Sequence, residues 1–321
     1  MERHLKRFTD EFERIAEIRR RLERASPHVV IGIGDDATVL AVSSRPQVVS
    51  VDAAVEGVHF RRGVIADRDV GYRATAAALS DLAAMGAMPR VVLSSLILPP
   101  VLDDAALFAI VDGIGESAAA CGATVAGGNL SLGSELSITT TVIGDAGEVS
   151  LTRIGARVGD GVFVTGALGG AALAWRLLDA GMRAPEAILR RFARPAPRIE
   201  EGRRLVGVAT AAIDVSDGLL RDLGHVCDAS GVGAEVHAHA VPLEPGLAEA
   251  AQPVGLDALT LALTGGEDYE LLFTAPEAAS LPFAATRIGT IVATGGVRVL
   301  DADGRALPVP PATGHDHFRA R

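Results

Sequence analysis

Residues 212–225 read AIDVSDGLLRDLGH: an apolar strand, an acidic turn that closes on glycine, and an apolar helix. The hydrophobic pattern predicts the strand over 210–214 and the helix over 217–229. Asp214 and Asp217 flank Ser216 at the junction. Ser216 or Asp217 suits a helix N-cap. The same carboxylates beside a helix N-terminus also suit a metal–phosphate complex. Local grounds leave both readings open.

Working outward, strands and helices mix in both halves of the chain. The second half is expected to hold strands at 161–165, 234–241, 270–275 and 296–300, with helices at 170–178, 185–191 and 197–206. The first half is expected to hold helices at 8–24, 69–85 and 103–120 and strands at 29–33, 47–51, 91–98 and 136–143. Phe8, Phe12, Ile15 and Ile18 give the first helix its apolar face. Residues 144–160 are polar and punctuated by glycine, which places a domain boundary near 148 and gives domains 1–148 and 149–321. Two domains suit a chain of 321 residues. The class is α/β (α+β), with no repeat of solenoid period.

Composition narrows the function. Forty acidic residues against 30 basic give a net charge of −10, which argues against a nucleic-acid binder. Lys6 is the only lysine. A Walker-A loop and a protein-kinase strand lysine are therefore excluded. Any phosphate chemistry must draw its positive charge from metal ions and arginines. Two cysteines, Cys121 and Cys227, cannot build a disulfide framework or a four-thiolate zinc site, and they fit a reducing cytoplasm. The opening MERHLKRFTDEFERI is charged where a secretory signal is apolar. No uncharged apolar run reaches the ~18 residues that a membrane span needs.

Acidic spots fall at turns and strand ends: Asp35 and Asp36 after Gly34, Asp52 after Ser50-Val51, Asp81 after Ser80, and the pair Asp214 and Asp217. Carboxylates and hydroxyls are the ligands that hard divalent cations take, and Mg²⁺ shares them with substrate phosphates. Gly-Asp-Asp is also a common turn, and Asp52 can cap one. Asp81 shares a helical stripe with Ala74, Ala77, Ala78, Ala84 and Met85, so partial burial is expected, with a local hydrogen bond or a metal as partner. Gly127-Gly128-Asn129 reads as a glycine turn that allows close backbone approach to a ligand. The turn at 165–170 resembles a dinucleotide loop but lacks the G-x-G-x-x-G spacing. Residues 263–273, LTGGEDYELLF, place Glu267 at the mouth of a strand, a position open to a solvated turn acid as well. His237 and His239 alternate on one strand face, His315 and His317 lie near the C-terminus, and His59 follows closely after Asp52.

Taken in order, GIGDDATVL, SVDAAVEGVHF, ALSDLAAMGAMP, AGGNLSLG, LTRIGARVGD, AIDVSDGLLRDLGH and LTGGEDYELLFT resemble the thiamine-monophosphate kinases. These belong to the superfamily of aminoimidazole ribonucleotide synthetase and selenophosphate synthetase. The resemblance covers nearly the whole chain. It implies an N-terminal α/β domain that pairs with its twin in a homodimer through a β-barrel-like interface. It implies a C-terminal domain that packs helices on a mixed sheet, and ATP in the cleft with several Mg²⁺ ions. The γ-phosphate would pass directly to thiamine monophosphate, giving thiamine diphosphate. Residue by residue, the resemblance makes Asp35, Asp36, Ser50, Val51 (through its backbone), Asp52, Asp81, Asp214 and Asp217 metal ligands. Gly128, Asn129, Arg153 and Ser216 match nucleotide contacts, and His59 and Glu267 match substrate contacts. Asn129 stands where many relatives carry Asp, which removes one charge from that ligand position. His315 stands where an aromatic residue usually stacks on thiamine. A non-catalytic nucleotide-binding member of the superfamily is the alternative, and those two positions are its support. A selenophosphate synthetase is disfavoured, because its N-terminal nucleophile and lysine are not found.

Overall fold

The computed structural model describes residues 10–308. His315, His317, Phe8 and Lys6 lie outside the described residues. The chain divides into two compact units. One takes the chain up to Leu79 together with Pro89–Asp145, and the other takes Ser80–Met88 and the chain from Ala146.

The first unit opens with α1 (Glu11–Leu22), capped by Asp10, whose carboxylate accepts from the Glu13 N–H. β1 (Val29–Ile31) and β2 (Val39–Leu40) pair antiparallel and carry the Gly34-Asp35-Asp36 turn between them. Then come β3 (Gln47–Val55), α2 (Asp67–Ala84), β4 (Met88–Leu98), α3 (Asp104–Ala120), β5 (Thr124–Leu132) and β6 (Ser137–Asp145). Among the described residues, β3-β6-β4-β5 form a sheet in that order. β3 and β6 run antiparallel, whereas β4 and β5 run parallel and need a crossover, which α3 supplies. α3 begins at the acidic pair after Pro100, with Asp103 accepting from the Ala106 N–H. Glycines set how closely α2 and α3 pack: a Cβ on Gly71 would overlap the Ile110 carbonyl, and one on Gly113 the Arg68 carbonyl.

The second unit holds β7 (Gly161–Val164), α4 (Gly170–Asp179), α5 (Glu186–Ala193), α6 (Ile199–Leu205), β8 (Ala211–Asp214), α7 (Leu219–Ser230) and β9 (Gly233–His237). α8 (Leu247–Ala251), α9 (Ala258–Thr264), β10 (Leu271–Ala275), β11 (Thr286–Val292) and β12 (Gly296–Leu300) complete it. Its sheet has the order β12-β9-β11-β7-β10-β8. β12 runs parallel to β9 and the other pairs are antiparallel, so the sheet is mixed. Alternating residues feed two cores. Ile213 and Leu272 join Leu219, Leu223 and Val226 of α7 on one face. Ala212, Leu271 and Phe273 join Leu205 of α6 on the other. A strand buried on both faces reads as an unbroken apolar run, as LLFTA does in β10.

Three expectations change. Gly127-Gly128-Asn129 is no turn but the middle of β5, paired with 93–95 of β4. A Cβ on Gly128 would overlap the Ser94 carbonyl, so that glycine serves strand contact. The strand expected over 234–241 ends at His237 and passes into a 3-10 turn, Ala238–Ala240, which removes His239 from the strand face. β11 carried no strand expectation. Gly289 breaks its apolar pattern because a Cβ there would overlap the Glu235 carbonyl of β9.

Candidate active site

In the second unit, β8 delivers Asp214 at its C-terminal end. Asp214 is 4% exposed and accepts a hydrogen bond of 2.7 Å from the Ser80 hydroxyl near the end of α2. Burial, and then the negative charge of Asp81, push its pKa up to about 7, against the Ser80 hydrogen bond and the Arg153 guanidinium. Asp81, Arg153 and Asp214 are therefore one electrostatic group. Asp81 itself is half-buried, as its place on an alanine stripe led us to expect.

The turn after Asp214 corrects the capping expectation. The N-cap of α7 is Gly218, at φ +119°, without a side-chain cap. Neither Ser216 nor Asp217 takes that place. Instead Asp222, one turn into the helix and 2% exposed, turns back. Its Oδ2 accepts from the N–H groups of Ser216, Asp217 and Gly218 at 3.0, 3.1 and 3.1 Å. These donors are thus taken by an internal carboxylate, not held open for phosphate. Burial, followed by the charges of Asp214 and Asp217, pushes the Asp222 pKa up to about 8. Asp217, Asp222 and His225 bring ligand atoms within 4.8 Å of one another.

The loop that enters β10 lies alongside this turn. The Glu267 N–H donates to the Ser216 carbonyl at 2.8 Å and the Tyr269 N–H to the Val215 carbonyl at 2.9 Å. Of the three acids in this loop, only Glu267 is partly exposed. Asp268 is buried at the N-terminus of α4, where it accepts from the Gly169 N–H at 2.8 Å. That carboxylate fills the anion place that a dinucleotide reading of residues 165–170 needs. Glu270 is 1% exposed and accepts from Thr165, Arg191 and Arg198. Burial alone would raise its pKa, but the two arginines outweigh it and hold the carboxyl below its ordinary value. Sequence reasoning missed Ser80, Asp222, Asp268 and Glu270 as organisers. A buried acid whose partners lie far away in the chain leaves no local signature.

In the first unit, Asp35 and Asp36 are exposed on the β1–β2 connection, and the Asp36 N–H donates to Asp35 Oδ1 at 2.8 Å. The alternation of β3 puts Ser50 and Asp52 on one face and Val51, 60% exposed, on the other. Val51 can offer a ligand there only through its backbone. Thr140, opposite Asp52 in the ladder, is fully buried and its hydroxyl has no hydrogen-bond partner. Asp35, Asp36, Gly128 and Asn129 line one cavity of about 750 Å³, walled by Phe12, Ile15 and Ile18 of α1 and by Val111 and Ile114 of α3. The exposed Asn129 donates its amide N–H to Ser131 Oγ at 3.1 Å, and its amide oxygen is an acceptor by chemistry. His59 Nδ1 accepts from the Val55 N–H at 3.1 Å, so the neutral ring carries its proton on Nε2.

Donors of this kind fit a hard divalent cation. The buried Asp214, destabilised by Asp81, is the kind of charge that a cation relieves.

Residues 34–146 match the model of the AIR synthase related protein N-terminal domain, and residues 157–301 match that of its C-terminal domain. Fold and sequence together define an AIR synthase-related protein of two domains. Thiamine-monophosphate kinase of Escherichia coli K12 is 36% identical over 324 residues, which cover 96% of this chain and 98% of that one. The crystal structure of thiamine-monophosphate kinase from Stenotrophomonas maltophilia K279a superposes with a TM-score of 0.80 at 39% identity, covering 92% of this chain and 98% of the other. AaThiL complexed with AMPPCP and TMP superposes with a TM-score of 0.79 at 33% identity, covering 96% and 97%. The chain belongs to the thiamine-monophosphate kinase family.

Proposed function

We propose that this protein transfers the γ-phosphate of ATP to thiamine monophosphate, giving thiamine diphosphate and ADP, with Mg²⁺ held by its carboxylates. The observation that carries the reading is the buried Asp214 beside Asp81. Burial and the charge of the half-buried Asp81 both disfavour a bare carboxylate at Asp214, and a bound cation would relieve both. The family relationship and the ATP-analogue complex of a relative support the same substrates.

Asp35, Asp36, Ser50, Asp52 and the Val51 backbone are the proposed oxygen ligands of the first unit, with Asp81, Asp214 and Asp217 those of the second. Asn129 adds a neutral amide oxygen. The bound ions would neutralise phosphate charge and align the two reactants. The apolar cavity under α1 suits the nucleoside, with Gly128 and Asn129 at its edge. Arg153 and Ser216 contact the nucleotide in this reading. His59 Nε2–H donates to the acceptor phosphate, and Glu267 attracts the cationic thiazolium. No residue acts as a dominant general base, because the attacking phosphate oxygen is already ionised at neutral pH. His315 completes the thiamine contacts in this proposal. Residues 1–148 carry the nucleotide and dimer contacts, and residues 149–321 complete the set.

The homodimer is part of the proposal. Val49 and Val51 are 57% and 60% exposed on the face of β3 opposite Ser50 and Asp52, a strip that a second copy would cover. A cytoplasmic setting goes with ATP as the donor. Among the described residues no helix is long and apolar enough to cross a membrane.

The test is direct. Purified protein with ATP and thiamine monophosphate should form thiamine diphosphate and ADP only when Mg²⁺ is present. Nucleotide binding without turnover would overturn the reading in favour of a non-catalytic member of the fold.

A further inference from the structure

The loop that carries Glu267 is held in an unusual shape. Glu267 and Tyr269 sit at φ +61° and +51°, in the left-handed region that side-chain-bearing residues rarely occupy, and Gly266 precedes them at φ +78°. Strain of this kind persists only where the surroundings dictate it.

The dictating residues are the two acids that alternate with the strained positions. Asp268, 3% exposed, accepts from the Gly169 N–H at 2.8 Å and from the Ala171 N–H at 3.4 Å. Glu270 is gripped by Thr165 Oγ1 at 2.7 Å, Arg191 at 2.6 Å and Arg198 at 2.6 Å. The backbone between them is fastened on its other side, by Glu267 N–H to Ser216 and Tyr269 N–H to Val215. With residues 268 and 270 anchored inward and both N–H groups committed to the neighbouring turn, Glu267 has one backbone conformation left.

We propose that Asp268 and Glu270 are positioning residues for the thiamine end of the substrate: they fix the left-handed backbone that presents the Glu267 carboxylate. The inference rests on the reading of Glu267 as a substrate contact and adds what holds it in place. An acid that merely capped α4 would not act through Glu267. One that positions Glu267 loses its effect once the Glu267 carboxylate is gone.

The experiment is a double-mutant cycle read by calorimetric binding of thiamine monophosphate and, separately, of a non-hydrolysable ATP analogue to the full chain. Glu267→Gln should weaken thiamine monophosphate binding about tenfold. Asp268→Ala should weaken it by a similar factor while ATP-analogue binding changes less than about twofold. Asp268→Asn keeps an oxygen for the Gly169 N–H and should restore binding to within about threefold of the parent. In the Glu267→Gln background, Asp268→Ala should add less than about twofold. Multiplying effects, or an equal loss of ATP-analogue binding, overturn the inference and leave the function standing. A Glu267→Gln protein that binds thiamine monophosphate normally overturns the substrate role of Glu267 and the inference with it. Should Asp268→Ala fail to fold, Glu270→Gln replaces it in the same cycle, with the same outcomes deciding.

Discussion

Asp268 shows what a single residue trades for position. Burial pushes its pKa up to about 7, against the backbone hydrogen bond from Gly169 and the charge of Arg191. Unfolded, the same carboxyl titrates near 3.8. Between those values the folded chain keeps a proton that the unfolded chain has lost, so this group makes stability fall as pH rises through the window. The loss is complete once the pH is above the folded value. Asp268→Asn removes the titration. Melting temperatures of both proteins from pH 4.5 to 8 should show the variant gaining on the parent as pH rises, then running parallel above about 7.5. Parallel curves throughout would show that Asp268 titrates alike in both states. Little of this was legible beforehand. The residue types of Asp214, Asp217 and Glu267 stood out in the sequence, but the division of labour among neighbouring acids did not. In GGEDYE the mouth of the strand singles out Glu267, but nothing local marks Asp268 and Glu270 as its anchors. Only the distant partners, the N-terminus of α4 and the two arginines, separate the presenting acid from the anchors.

Elements were read well where burial sets the apolar pattern and poorly where backbones meet. α3 follows from its periodicity and β10 from its unbroken apolar run, whereas Asp103 as the cap of α3 is a finding of the structure. β5 did not follow, because Gly127-Gly128 carries a turn signal while the actual demand is close approach of β4. The same demand brings α2 and α3 together at Gly71 and Gly113. Gly71→Ala places a methyl group on the Ile110 carbonyl, and forced overpacking of this kind costs about 1–3 kcal/mol. Chemical denaturation should show that loss. Gly224→Ala is the control, since a Cβ there meets nothing within 4 Å. Equal stability of the two variants would mean that the helices part without penalty.

The mixed C-terminal sheet of the whole molecule was expected from the family resemblance, and the six-stranded order bears it out. The interleaving of Ser80–Met88 with the later chain was not legible, since a helix running from one unit into the other looks continuous in sequence. If the exposed strip of β3 is covered by a second copy, Val49→Arg should convert a particle of twice the chain mass into a monomer by light scattering. An unchanged mass would move the interface elsewhere. The central claim is that carboxylates act here as cation ligands, and Asp214→Asn tests it most directly. With Mg²⁺, ATP and thiamine monophosphate, the variant should lose turnover by about 100-fold or more, while its metal-free melting temperature stays at or above that of the parent because a buried charge has been removed. Turnover within about twofold of the parent would contradict the account.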